Sequence, residues 1–234
     1  MKTIQILELK NERIANLHDV FTSQKENKVS ASKHKDSIKG GVVCRDKSVV
    51  IKSNYEIAGM RRPDGSRPTK QDIGGHASQS LNYLNNHGND DIKDDTELAN
   101  VYDDDGERMT RAEFNAFRKE LEDDGLQASR RTMISVGHII ERDDYANLIK
   151  ESVDTFKDLT DKNFQYKFAI HTDHEVPHAH VFMHSDDGRD ILINKEQMQL
   201  FKEIVGDKTD TLLKSLDKDI SKDKEIEIKM GAEL

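Results

Sequence analysis

The chain has 234 residues, 35% of them charged and 34% hydrophobic, with a formal net charge of −9. That length suits one sizeable domain with appendages. The absence of any run of 18 apolar residues excludes a membrane-spanning helix, and the start Met1–Glu8 is too short and polar for a cleavable leader. With Cys44 as the single cysteine, the expected setting is a reducing, cytoplasmic one.

In chain order, residues 11–24 suit a helix, and Gly41–Cys44 and Ser48–Ile51 read as short strands. Glycine, proline and arginine between 59 and 75 mark a flexible approach to a short helix over Gly74–Leu84. Val101–Thr110 reads as a polar turn, and Thr110-Arg111-Ala112-Glu113 as a capping box opening a helix to about 124. Arg131–Ile140 has strand composition. Asp143-Asp144 can start a helix to 159, with Leu148, Val153, Phe156 and Leu159 as its apolar stripe. Phe164–Ile170 and Val181–Met183 favour strands. Asn194 is a credible N-cap for a helix from Lys195, and the charged stretch after Lys208 suits one more. This alternation implies an α+β fold, with helices packed on an antiparallel sheet.

The chemistry concentrates in His171-Thr172-Asp173-His174-Glu175-Val176-Pro177-His178-Ala179-His180. His178 and His180 are two apart, so on a strand both imidazoles leave the same face. Val176-Pro177 reads as the bend between two strands, and an antiparallel return would bring His171 opposite the His178/His180 pair. Three imidazoles then converge on one divalent cation and leave coordination positions open, as in catalytic rather than structural sites. Neutral imidazole suits several metals, so residue type alone does not name the ion. Asp173 suits hydrogen bonding to a ligand histidine. His184 lies on the same strand face as His180 and is a further candidate for the metal or for DNA.

The order H-x-D-x-x-x-P-H-x-H followed by an apolar strand resembles the signature of HUH-superfamily endonucleases, specifically the third motif of conjugative relaxases. Ser185–Ile193 is similar to the polar turn and strand that follow it in the MOBP-like class, which includes the MobA mobilisation relaxases and T-DNA border endonucleases. The resemblance implies a central antiparallel sheet of about five strands with the histidine strands in its middle. It also implies Mn²⁺ or Mg²⁺ as cofactor and nicking of single-stranded origin-of-transfer DNA by a tyrosine, which leaves a 5′-phosphotyrosine and a free 3′-hydroxyl. Accessory relaxosome proteins and a type IV secretion coupling protein are the implied partners, without a membrane. Relaxases of this class often carry further C-terminal domains.

No tyrosine follows His180, so a tyrosine nucleophile must come from upstream. Tyr83 has the best setting, on a helix after a small-polar run, similar to the first motif of the same class; Tyr55 is the runner-up. Catalytic roles are thus expected for Tyr83 and Asp173. Residues 1–80 hold 15 Lys/Arg against 9 Asp/Glu, so the remainder of the chain carries −15. Arg61, Arg62, Arg67 and Lys70 are candidate phosphate contacts, with His76 and Ser78 at the helix start. The expected organisation is a basic extension with short strands over 1–70, which could share the domain of the nuclease core at 71–234. Two other readings use the same histidines: a metal-dependent hydrolase or oxygenase acting on small molecules, and a non-enzymatic DNA-binding module stabilised by a metal.

Overall fold

A computed structural model describes residues 42–45, 49–86, 97–172 and 176–231, with side chains over 49–86, 97–172 and 176–216. The helix expected over 11–24 and the residues Asp173, His174 and Glu175 lie outside the described residues. One compact unit spans 40–234. It contains the strands β1 (Val42–Arg45) and β2 (Val50–Ile57), so the sheet crosses the expected boundary at 70.

The remaining elements follow as α1 (Lys70–Asn86), β3 (Leu98–Tyr102), β4 (Arg108–Thr110), α2 (Arg111–Asp124), β5 (Ala128–Ser135), α3 (Arg142–Thr160), β6 (Gln165–His171), β7 (His178–Ser185), the single turn α4 (Gly188–Ile191) and α5 (Lys195–Gly231). The fold is α+β, as the alternation of elements implies. Its sheet has seven strands in the order β1-β2-β5-β7-β6-β3-β4, every neighbouring pair antiparallel. The two strands beyond the expected five come from the hairpins at the edges. Val101–Thr110 is not simply a turn: only Asp103–Gly106 reverses the chain, with Gly106 at φ 84°, and strands flank it.

Because side chains alternate along a strand, the sheet has two distinct faces. Ile170, Phe168, Ala179, Val181, Met183 and Ile134 pack with apolar residues of α3 and α5 in the larger core. Ala169 and Phe182 point the other way and pack under α1 and α2 with Ile73, Leu81, Phe114 and Leu121. His171, His178 and His180 share the parity of Ala169 and Phe182, so they belong to the α1 face.

Helix starts follow the residues that satisfy free backbone donors. Thr69 caps α1 reciprocally with Asp72, whose backbone N–H donates to Thr69 Oγ1 at 3.1 Å while its carboxylate accepts from the Thr69 backbone at 2.8 Å. The capping box at Thr110 and Glu113 is present, and Asn194 caps α5 through the backbone N–H of Gln197 at 2.8 Å. α5 then continues unbroken for 37 residues, where two helices were expected. The Ser185–Ile193 segment forms a turn and α4 rather than a strand: Asp187 accepts from the Arg189 backbone and nucleates one helical turn. The strand expected over Arg131–Ile140 runs from 128 to 135 instead.

Gly74 and Gly75 lie inside α1 and not in a flexible approach to it. At Gly74 the helix comes so close to α2 that a Cβ would run into the Leu121 carbonyl oxygen and lie 2.8 Å from Gly125 Cα. Gly125, at φ 70°, ends α2 at that same contact. Substitution Gly74→Ala is therefore expected to destabilise the protein by ~3 kcal/mol, read as a lower midpoint in urea unfolding, whereas Gly75→Ala, with open space around it, should raise that midpoint slightly, because alanine suits a helix interior better than glycine.

Candidate metal and nucleophile site

The β6–β7 register ends on the pair His171↔His178, and His180 follows two residues along β7 on the same face. Their ring centroids are 5.3, 4.8 and 5.0 Å apart. One ligand atom from each ring lies within 4.8 Å of the other two; His171 is buried and its companions are half-buried. The three histidines thus form one group able to hold a metal ion, and three neutral imidazoles in this arrangement fit a first-row divalent cation.

Helix α1 closes this group from above. The carbonyl of Leu84, one of the last four of α1 and so without an intrahelical donor, accepts a hydrogen bond of 3.2 Å from His171 Nε2. A carbonyl can only accept, so Nε2 carries the proton, and it is Nδ1 whose lone pair a neutral His171 would offer to a cation. This fixes the tautomer, the task expected of Asp173, which lies outside the described residues. Asn85 adds a second tie, its Oδ1 accepting from the backbone of Asn100 on β3 at 2.8 Å.

One residue before Leu84, Tyr83 is 56% exposed, and it lines a cleft of about 590 Å³ together with His180, His76, Ser80, Glu56 and Arg131. The structure thus brings the sequence-identified tyrosine and a histidine of the trio to one opening. Tyr55 lies on the opposite face of β2, its ring 5.0 Å from the buried Arg130 guanidinium.

The expected phosphate contacts divide. His76 lines the cleft, and Arg62 reaches Glu56 at 2.5 Å, whereas Arg61, Arg67 and Lys70 are exposed outside the cleft wall. Ser78 is fully buried and donates to Glu122 at 2.5 Å, joining α1 to α2, so it is a packing residue rather than a phosphate contact. His184 does not join the trio. It sits four residues beyond His180, about 13 Å along the strand, with its ring between Phe117 and Phe182.

Sequence reasoning missed Glu56, Arg131 and Ser80. Glu56 faces two guanidinium groups, Arg62 at 2.5 Å and Arg131 at 3.7 Å, and the His76 imidazole at 3.2 Å. Arg131 also donates to Ser80 Oγ at 2.8 Å. Residues from 56 to 131 meet here only through the β2–β5 register, in which Asn54 pairs with Arg131 and Glu56 with Ser129. No local motif signals that pairing.

Comparison with known protein families, curated proteins and solved structures gives no significant match. Among the described residues no helix is long and apolar enough to cross a membrane.

Burial holds the His184 imidazole at a pKa of about 4, and the nearby Lys167 charge acts in the same direction. Its Nε2 has no hydrogen-bond partner among the described residues. Between pH 6.5 and 4 the unfolded chain binds a proton at this position that the folded chain refuses, so acidification through that window removes stability. The loss attributable to His184 should reach about 3 kcal/mol. Urea unfolding from pH 7 to 4 would show it, and His184→Phe should flatten the dependence.

Proposed function

We propose that this protein is a metal-dependent DNA relaxase that nicks and rejoins single-stranded origin-of-transfer DNA. The observation that carries the reading is that Tyr83 and His180 line one cleft, while the carbonyl next to Tyr83 is bonded to His171. A hydrolase using water would have no need of an exposed phenol at this position.

In this reading His171, His178 and His180 hold a divalent cation, Mn²⁺ or Mg²⁺, which when bound polarises the scissile phosphate. The chain's own residues supply the rest. Tyr83 Oη gives up its proton and forms a bond to phosphorus, and the bond from phosphorus to the 3′ oxygen breaks. That oxygen takes up a proton and leaves as a free 3′-hydroxyl. Because the phosphotyrosine conserves the ester, attack by the same hydroxyl restores the strand and returns the phenol.

Helix α1 is the positioning element. In this reading its contact with α2 at Gly74 and its bond to His171 set where Tyr83 meets the substrate. The Arg131 guanidinium at the cleft gives a local attraction for phosphates in a chain whose overall charge, −9, disfavours nonspecific DNA affinity. The proposed setting is the cytoplasm of a cell carrying a mobilisable plasmid, with accessory relaxosome proteins and a type IV secretion coupling protein as partners.

Incubation with Mn²⁺ and a library of single-stranded oligonucleotides is expected to give a tyrosine-linked nucleotide at Tyr83, identified by mass spectrometry. Tyr83→Phe should abolish that adduct while leaving Mn²⁺ affinity unchanged; an adduct that persists in the variant would reject the assignment.

His178→Ala should weaken Mn²⁺ binding at least about tenfold, measured by calorimetry, and slow nicking of supercoiled DNA. Unaltered affinity in that variant would dissolve the ligand set.

A further inference from the structure

Arg131 stands on the floor of the cleft, on β5, two positions from Met133, which pairs directly with His180. Its side chain is 40% exposed and is held between Ser80 of the nucleophile helix and Glu56 of β2. The bond to Ser80 is short and direct, at 2.8 Å, while the Glu56 carboxylate is 3.7 Å away. Glu56 itself is engaged more closely by Arg62, at 2.5 Å. Arg62, outside the cleft lining, thus takes the closer hold on the Glu56 carboxylate, so that Arg131 is only loosely compensated within the cleft. A planar guanidinium with donors to spare, beside a place for a scissile phosphodiester, suits bidentate recognition of a second phosphate.

We infer that Arg131 binds a backbone phosphate of single-stranded nucleic acid adjacent to the one positioned at the histidine trio, with Glu56 and Ser80 holding the guanidinium ready in the free protein. This deepens the relaxase reading and rests on it for the location of the scissile phosphate. Contact with one phosphate adds affinity without sequence preference and carries a characteristic salt dependence, because each phosphate neutralised by protein releases condensed counterion. A purely structural Arg131, cross-linking α1 to the sheet, would carry no such dependence.

The test uses the full chain carrying Tyr83→Phe, so that no strand is cut, with Mn²⁺ and a fluorescein-labelled oligothymidylate. Anisotropy titrations from 50 to 300 mM NaCl give both the affinity and its salt slope. Adding Arg131→Gln is expected to weaken binding about tenfold at the lowest salt and to make the slope of log K against log salt shallower by ~0.7. Arg131→Lys, which keeps the charge, should retain the slope. Thermal melts of each variant show whether the fold is kept. If Arg131→Gln lowers affinity with no change of slope in a folded protein, or leaves both unchanged, or if the parent binds no oligothymidylate, the assignment of Arg131 falls. Covalent capture by the unmodified chain separates this from the parent reading. An adduct with no Arg131 effect would overturn the phosphate contact alone, whereas a salt-dependent Arg131 effect without any adduct would leave the phosphate contact standing and overturn the transesterase.

Discussion

The site depends on a register. In the β6–β7 ladder a shift of β7 by one residue would send His178 and His180 to the opposite face, into a core of Ile134, Phe168 and Ile170. Two polar rings buried there without partners would be costly. The correct register instead places Ala179, Val181 and Met183 in that core and the imidazoles on the α1 face. The burial of every second residue along β7 is thus also what gathers the three imidazoles into one group able to hold a metal ion.

Only the parts of the site encoded in local sequence were legible before the structure. His171, His178 and His180 lie within ten residues, so strand alternation and one reversal sufficed to bring them together. Capping at Thr110 and Asn194 was equally readable, because the side chain and the backbone donor it satisfies are three residues apart. Tyr83 stands out by its local setting on a helix after a small-polar run, among five tyrosines that all precede His180.

Other features were not local. Ser78 read as a phosphate contact because a serine near a helix start often is, yet the crossing of α1 over α2 buries it completely. Glu56 and Arg131 meet through pairing across 75 positions of chain, and Leu84 contributes a carbonyl that any residue would present. The β3–β4 hairpin was hidden because its turn, Asp103–Gly106, is so polar that it masked the short strands on both sides. At the other end of β7, His184 has the right residue type and strand parity but the wrong distance, and aromatic neighbours occupy its surroundings.

The hydrogen bond between His171 and the Leu84 carbonyl makes the two halves of the site thermodynamically reciprocal. If the terminal turn of α1 frays, the His171 ring loses the acceptor that selects its tautomer, and cation affinity falls by the corresponding factor. By the same linkage, a bound cation must suppress fraying by an equal free energy. Ion loading would then register as slower amide exchange at the end of the helix that carries Tyr83, so occupancy of the trio and rigidity of that helix end are two readouts of a single equilibrium.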